Sequence, residues 1–491
     1  VFRLIDEDPQ LLFQRSRLVT TETVFGWRFA GPGDLAGWEL SVPPAEALPT
    51  PEGLVLSPQR QFVSMTREVD FDAADVDTLE LQLRGLRRQP VTLEWCGPGE
   101  GFSKERSIVL VAGGRDIGGG AIRHPVSTRG HPLWRGRVQK LRFSLSLPRS
   151  RRCTVVGIDA ARERVPESRL HEALGRPWKV ELDNDVRNAV LARPGVPIRR
   201  ELEVPGDAEL LLSYGLQPRS QGPVRFEVAA ALPDGTRRLL MADTLAEGAA
   251  GWRDARVDLS GLAGTRVGLE LETVLEGEFD AARGFPAWAN PEVVAPARLE
   301  QPNIVLVCLD TLRADHLSLY GYRRSTSPHI DAWAGARGTV FETVVAPAPW
   351  TLPSHVSMFS GLDAHRHGVN YTQPAPASLT MLAELLRQSG YATLAVTGGG
   401  FVHPQYGFAQ GFDRYWSFGV RVGDEAEIDA EVERACSAIE AHARRPFFLF
   451  LHTYEIHNPF LPRQPYFGAF SNHPDQTVVV DVEKLPASAT K

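Results

Sequence analysis

Two kinds of hydrophobic patterning divide the chain. From about residue 21 to 298, short segments alternate apolar and polar positions. L-E-L-Q-L-R (79–84), V-T-L-E-W-C (91–96), S-I-V-L-V-A (107–112) and K-L-R-F-S-L-S-L (140–147) do so in the first half of this region. P-I-R-R-E-L-E-V (197–204), A-E-L-L-L-S-Y (208–214), V-R-F-E-V-A-A-A-L (224–232), A-R-V-D-L (255–259) and R-V-G-L-E-L-E-T (266–273) do so in the second. A period of two predicts strands with one face on a core and the other toward water. Gly, Pro and Asp clusters between them, such as P-D-G at 233–235, predict turns. From residue 303 the pattern changes. N-I-V-L-V-C-L is continuously apolar, as in a parallel strand buried on both faces. Helical patterning comes next, in T-L-P-S-H-V-S-M-F-S-G, in 378–390 with Leu382, Leu385 and Leu386 on one face, and in the acidic segment 425–443. Gly390 is placed to stop the second of these helices. Y-A-T-L-A-V-T (391–397) and P-F-F-L-F-L-H (446–452) supply further strands, and strands alternating with helices predict an α/β layer.

The resulting layout is multidomain. A lead-in at 1–20, read as a helical turn set, precedes two antiparallel, jelly-roll-like β-sandwiches at 21–165 and 166–298. A proline-flanked linker at 295–302 leads into an α/β domain at 299–491. Composition changes little: 491 residues, 43% hydrophobic and 23% charged, exclude a disordered chain. A net charge of −7, with only the short basic runs Arg84–Arg88 and Arg149–Arg152, excludes a nucleic-acid footprint. The four cysteines show no metal-finger spacing. Cys308 and Cys436 read as buried free thiols, and Cys96 and Cys153 pair only if their strands are neighbours. No apolar run approaches the roughly 18 residues of a membrane span. The chain opens on Val1, so a leader is not part of this sequence.

Chemistry collects at the carboxyl ends of the three late strands, where open α/β sheets carry their sites. Asp310 and Thr311 follow the first, Thr397-Gly-Gly-Gly with His403 the second, and H-T-Y-E-I-H (452–457) the third. Thr351 joins them from a helix start. Asp310 and Thr351 both have a plain reading as helix caps. The same helix end, with roughly half a positive charge and free N–H groups, also stabilises an alkoxide and a bound phosphate or sulfate. A threonine hydroxyl ionises at neutral pH only with help, and a divalent ion gives it, lowering even bound water from 15.7 to about 7.

N-I-V-L-V-C-L-D-T-L-R-A-D-H-L-S-L-Y-G-Y, with the later S-P-H-I-D-A, resembles the opening of sulfatases and their relatives in the alkaline phosphatase superfamily. T-L-P-S-H-V-S-M-F-S-G-L-D-A-H-R-H-G-V looks like their nucleophile segment. G-Y-A-T, G-F-D-R-Y and P-F-F-L-F-L-H-T-Y-E-I-H-N-P-F come after it like their next landmarks, so the resemblance covers 301–465. It implies an alkaline-phosphatase-like fold and a divalent metal, Ca or Zn with Mn as a further option. The implied reaction is hydrolysis of a sulfate or phosphate ester. Residue by residue, Asp310 resembles the first metal-ligand Asp. Thr311 stands where a second ligand Asp is usual, and Thr351 stands at the nucleophile, with its hydroxyl on the metal. His355 replaces the motif's Arg. His457 resembles the His that contacts the anionic group or the leaving oxygen. The family's G-K-W-H is replaced by T-G-G-G-F-V-H, with His403 as a candidate substitute, and His365 and His367 read as structural. Threonine cannot be oxidised to the formylglycine of sulfatases, so none is expected. A threonine nucleophile looks more like the phosphodiesterase and phosphonate-cleaving branches. The family's later Asp-His-Gly ligands do not occur after Pro459, which implies a C-terminally incomplete domain whose own activity is in doubt.

The sandwiches resemble, in pattern alone, carbohydrate-binding-type modules often attached to secreted hydrolases. That implies a substrate with a glycan part and a periplasmic, cell-surface or secreted setting. Trp134, Trp178, Trp252 and Trp288 are either sugar-stacking faces or core aromatics. Two alternatives stand beside the hydrolase. One is a phosphodiesterase, phosphonate hydrolase or phospho-head-group transferase of the same superfamily. The other is a non-catalytic carbohydrate-binding surface protein with a decayed sulfatase domain, favoured by Thr311, His355 and the missing Lys.

Overall fold

A computed structural model describes residues 2–4, 20–29, 35–57, 62–85, 90–111, 115–128, 131, 133–147, 152–174, 176–217, 220–281, 283–295, 301–370, 373–418, 427–457 and 466–470. Its first sheet is organised on the strand Cys153–Arg164, which pairs with Thr20–Arg28, Gly53–Leu56 and Thr78–Arg84. Alternation sets the faces. Leu79, Leu81 and Leu83 enter the core with Val155, Ile158 and Ala160. Glu80, Gln82 and Asp159 take the outer face and are nevertheless buried. Gln82 Nε2 donates to Asp159 Oδ2 at 2.7 Å, and Arg28 reaches the same carboxylate at 2.6 Å. Gly26 makes room for it, since a Cβ there would stand 2.3 Å from Asp159 Oδ1. A five-stranded sheet, with Phe62–Asp72, Arg137–Ser146 and Pro90–Cys96 at its centre, closes the sandwich with Met65, Leu93, Trp95 and Phe143. Cys96 and Cys153 lie in opposite sheets, both buried and free, so the conditional pairing does not form. Cys436, expected to be buried, is exposed.

In the second block the strands Ile198–Glu203, Arg266–Leu275, Val224–Ala231 and Arg237–Leu245 form a four-stranded sheet. It shares a core with Glu209–Leu216, Trp252–Asp258 and Pro286–Val294. Those three strands belong to a ten-stranded sheet. It continues through Asp185–Leu191 into Arg414–Ser417, Ala392–Thr397, Phe447–Thr453 and Ile304–Leu309. The last four are parallel, but Ile304–Leu309, expected to be buried on both faces, is the edge strand of this order and leaves Val305 and Val307 exposed. The joint is antiparallel, with Asp185 opposite Trp416 and Arg187 opposite Arg414. Sheet hydrogen bonding therefore crosses the place where the sequence changes period. Val186, from the β-rich side, packs in one core with Leu352, Val356 and Phe412.

The joint is also charged. Arg187 donates from Nε (3.1 Å) and Nη2 (2.6 Å) to Asp185 Oδ2, and from Nη1 to Ser213 and Asp254. Arg414 completes the group on Asp185 and Asp254 at 3.2 and 3.1 Å. A second cluster ties Arg3 and Arg445 to Glu292, and Arg387 to Asp413. The strand Phe2–Arg3 pairs with Pro286–Val294, so the chain begins as a strand on the second block where a helical turn was expected. Residues 5–19, most of the linker, and both N-H-P-D (472–475) and V-V-V-D-V (478–482) lie outside the described residues. Pro291 would argue against a central strand. The chain accommodates it at a kink, where Asn290 takes φ +44° and the register on Glu209–Leu216 shifts. The tryptophans decide for the core. Trp134, Trp178 and Trp288 are buried, and half-buried Trp252 lies under Arg187 with its Nε1 on the Asp185 carbonyl.

His442 ends the helix Glu427–His442 and packs among Arg414, Arg445 and Asp413. Burial lowers its imidazole to about 4, with the two arginines adding to the effect, although its bond to the Ala438 carbonyl and the charge of Asp413 pull the other way. The folded protein therefore keeps this ring neutral where the unfolded chain protonates it, below pH 6.5. Stability is lost as pH falls from about 6.5 to 4, by about 3 kcal/mol from this group. Urea unfolding at pH 7 and pH 4.5 should show a smaller difference in His442→Gln than in the unsubstituted protein. Equal differences would overturn the assignment.

Candidate active site

Leu352, Val356 and Phe359 recur at helical spacing and bury one face of the helix Thr351–Ser360. Trp350 is its N-cap and Thr351 its first residue, and Gly361 ends it at φ +69°. Thr351 is thus not the cap, and its hydroxyl is used elsewhere. Oγ1 donates to Asp310 Oδ2 at 3.1 Å. Asp310 lies just past the strand Ile304–Leu309 and is nearly buried. Burial alone would raise its carboxyl. His452, with the nearby His355 and the Thr351 hydroxyl, outweighs that and holds it below the ordinary carboxylate value.

His355 lies one turn into the helix, and its Nδ1 donates to the Thr351 carbonyl at 2.8 Å. Its Nε2 then faces Cys308 Sγ at 3.4 Å. Burial, helped by His452, lowers this imidazole to about 4, so it is neutral at pH 7. Burial and the charge of Asp310 push the Cys308 thiol up to about 11. His452 is fully buried, with Nε2 3.4 Å from Asp310 Oδ2.

Thr311 adopts φ +63°, uncommon for a β-branched residue, and its hydroxyl donates to the Ile456 carbonyl at 3.2 Å. His457 lies edge-on to Tyr454 at 5.3 Å, and Tyr454 lies edge-on to His452 at 4.6 Å. The Tyr454 hydroxyl accepts from the Phe401 N–H at 3.1 Å. His403 accepts from the Gln405 N–H through Nδ1, closing a short turn. His367 bonds Ser357 Oγ and the Val369 N–H. The fold thus brings Asp310, Thr351 and His355 together, and His457 packs on Tyr454, which in turn packs on His452.

Three participants are given no role of their own by sequence reasoning: Cys308, read only as a buried thiol, and His452 and Tyr454, named only within H-T-Y-E-I-H (452–457). A usable signal exists for two. Cys308 precedes Asp310 by two positions and so shares its face. His452 sits directly opposite Cys308 in the parallel register.

The donors suit a divalent ion. A carboxylate and a hydroxyl meet at one oxygen, beside imidazoles one of which is held neutral. His452 Nδ1 is buried without a hydrogen-bond partner. Buried imidazole nitrogens are ordinarily satisfied, so this one calls for an explanation.

The Sulfatase family model matches residues 302–478, and the C-terminal part of the chain therefore carries a Sulfatase-family domain. The chain is similar to an N-acetylgalactosamine-6-O-sulfatase of Bacteroides thetaiotaomicron, at 30% identity over 100 residues, 19% of each chain. It is also similar to the phosphoethanolamine transferase EptC of Escherichia coli K12, at 30% identity over 20% of this chain and 16% of that one. It thus spans about a fifth or less of the length of these curated relatives. Among solved structures, BT4656 in complex with D-glucosamine-2-N,6-O-disulfate overlaps 35% of this chain and 38% of its own, at 20% identity and TM-score 0.30. The xylan-binding module CBM86 of Roseburia intestinalis overlaps 31% and 98%, at 11% identity and TM-score 0.20. Among the described residues no helix is long and apolar enough to cross a membrane.

Proposed function

We propose that the protein is a metal-dependent hydrolase of sulfate or phosphate esters in which Thr351 is the nucleophile. The observation that carries this reading is the 3.1 Å bond from Thr351 Oγ1 to Asp310 Oδ2 at the start of a helix. A divalent ion on Asp310 and Thr351, with Thr311 alongside, would supply the acidity that a free threonine lacks.

The chain's own groups do the rest. Asp310 Oδ2 already accepts the hydrogen bond along which the Thr351 proton leaves. Oγ1 then bonds to sulfur or phosphorus, the ester oxygen departs with the bond's electron pair, and water hydrolyses the Thr351 ester. His457 serves the anion or the departing oxygen. His355 anchors the Thr351 carbonyl and fixes the direction of attack. The identity of residue 351 favours phosphorus esters, since threonine cannot form the aldehyde on which formylglycine sulfatases depend. The names of the two relatives span both chemistries, a sulfatase and a phosphoethanolamine transferase. An alkaline-phosphatase-like fold and a setting outside the cytoplasm belong to the same proposal. A sugar-bearing substrate finds no support in the four tryptophans.

The test is turnover of an aryl sulfate, an aryl phosphate and a bis-aryl phosphate diester, after chelation and with Zn²⁺, Mn²⁺ or Ca²⁺ restored. Metal-restored turnover, fastest on a phosphorus ester, is expected. No turnover of any ester with any of the ions would leave the decayed, non-catalytic reading.

A further inference from the structure

Cys308, His355 and His452 offer ligand atoms that all lie within 4.8 Å of one another. The topology explains why. Cys308 and His452 are register partners on adjacent parallel strands, so their side chains leave the sheet on one face. The helix Thr351–Ser360 brings His355 over that face, its ring 5.1 Å from that of His452. Asp310, two residues beyond Cys308, comes up beside them.

We propose that Cys308, His355 and His452 form a soft-donor site for a zinc-class ion beside Asp310, with its fourth position left to a ligand such as the Thr351 hydroxyl. This deepens the proposed function by naming the metal's class, and it does not depend on Thr351 being the nucleophile. Four observations carry it. First, a tetrahedral zinc with bonds of about 2.0–2.3 Å separates neighbouring ligand atoms by about 3.3–3.6 Å. Cys308 Sγ to His355 Nε2 is 3.4 Å. Second, the remaining separations among Cys308, His355 and His452, within 4.8 Å, are wide of that edge by an amount a small side-chain rotation closes. Third, His355 is oriented as metal-bound histidines are, one ring nitrogen donating to a backbone carbonyl and the other turned to the site. Fourth, His355 and His452 are both buried, so the ring nitrogens they offer the cluster lie away from bulk water.

The donor set selects the ion. Thiolate and imidazole favour zinc and its neighbours, whereas calcium takes oxygen alone. On binding, the Cys308 S–H bond breaks, the sulfur electron pair goes to the ion and the proton goes to the buffer. The plain alternative is a thiol–imidazole hydrogen bond with no ion. Cys308→Ser separates the two, because serine keeps the hydrogen bond and cannot give a thiolate.

The experiment uses the full chain, stripped with chelator and titrated with Co²⁺ and then Zn²⁺. The unsubstituted protein should bind one Co²⁺ with the visible bands of a tetrahedral site and a sulfur-to-cobalt charge-transfer band, and Zn²⁺ should displace it. Cys308→Ser should lose the charge-transfer band and weaken Zn²⁺ by more than the roughly 10–100-fold typical of an outer-shell change. Thr351→Ala should retain the band. Cys308→Ala and a thermal melt of each variant guard against simple misfolding. Identical cobalt spectra in the unsubstituted protein and Cys308→Ser, or no bound Co²⁺ in folded protein, would overturn the proposal. Loss of turnover in Thr351→Ala with the band intact would leave both proposals standing. Turnover without a band would sink this one alone.

Discussion

Thr351→Ala lowers ester turnover by roughly 10³–10⁶-fold, the range seen when a nucleophile is removed and only binding and charge stabilisation remain. The same change costs about 1 kcal/mol of stability, because Asp310 Oδ2 loses one hydrogen bond and keeps its neighbour His452. The separation of the two effects is the informative part. Trp350, not Thr351, is the N-cap, so the substitution does not unwind the helix. Thr351→Ser restores the hydroxyl and should recover most of the turnover. Steady-state rates on the best phosphorus ester, with circular dichroism of each variant, make the measurement. Turnover in Thr351→Ala within threefold of the unsubstituted protein removes the nucleophile assignment outright.

Arg187→Met destabilises the protein by about 3–5 kcal/mol, the cost of breaking a buried ion pair from one side. Arg187 is almost fully buried, and its guanidinium serves Asp185, Ser213 and Asp254. Removing it leaves the buried Asp185 carboxylate to Arg414 alone. These residues lie where the β-rich part of the ten-stranded sheet meets the parallel strands, so the loss is felt on both sides. Urea unfolding followed by Trp416, inside the parallel layer, and by Trp288, inside the sandwich, should shift together. Asp185→Asn combined with Arg187→Met should recover part of the loss, because the stranded charge is then gone. A shift below 1 kcal/mol, or one seen at Trp288 alone, contradicts the view of the joint as one cooperative unit.

The strands with strict alternation or unbroken apolar runs are legible in the chain. Thr78–Arg84, Pro90–Cys96, Val224–Ala231, Ile304–Leu309 and Phe447–Thr453 fall where the pattern predicts them. Two of the strands that the pattern misses have their periodicity interrupted. Cys153–Arg164 carries A-A-R-E-R and Pro286–Val294 contains Asn290-Pro291, yet each is central to its sheet. Their place is set by partners more than a hundred residues away, in the case of Cys153–Arg164 by Thr20–Arg28. No local window contains that information.

Side-chain periodicity and backbone preference act over a few residues. They suffice for the β-rich first part, for the α/β character of the chain from residue 303 onward, and for the pairing of a strand-end carboxylate with a helix-start hydroxyl. They do not suffice to run one sheet through both parts, to send the tryptophans into the core, or to turn Cys308 and His452 toward Asp310 and His355. Those outcomes depend on register between distant strands and on burial, which arise only when the chain has closed on itself.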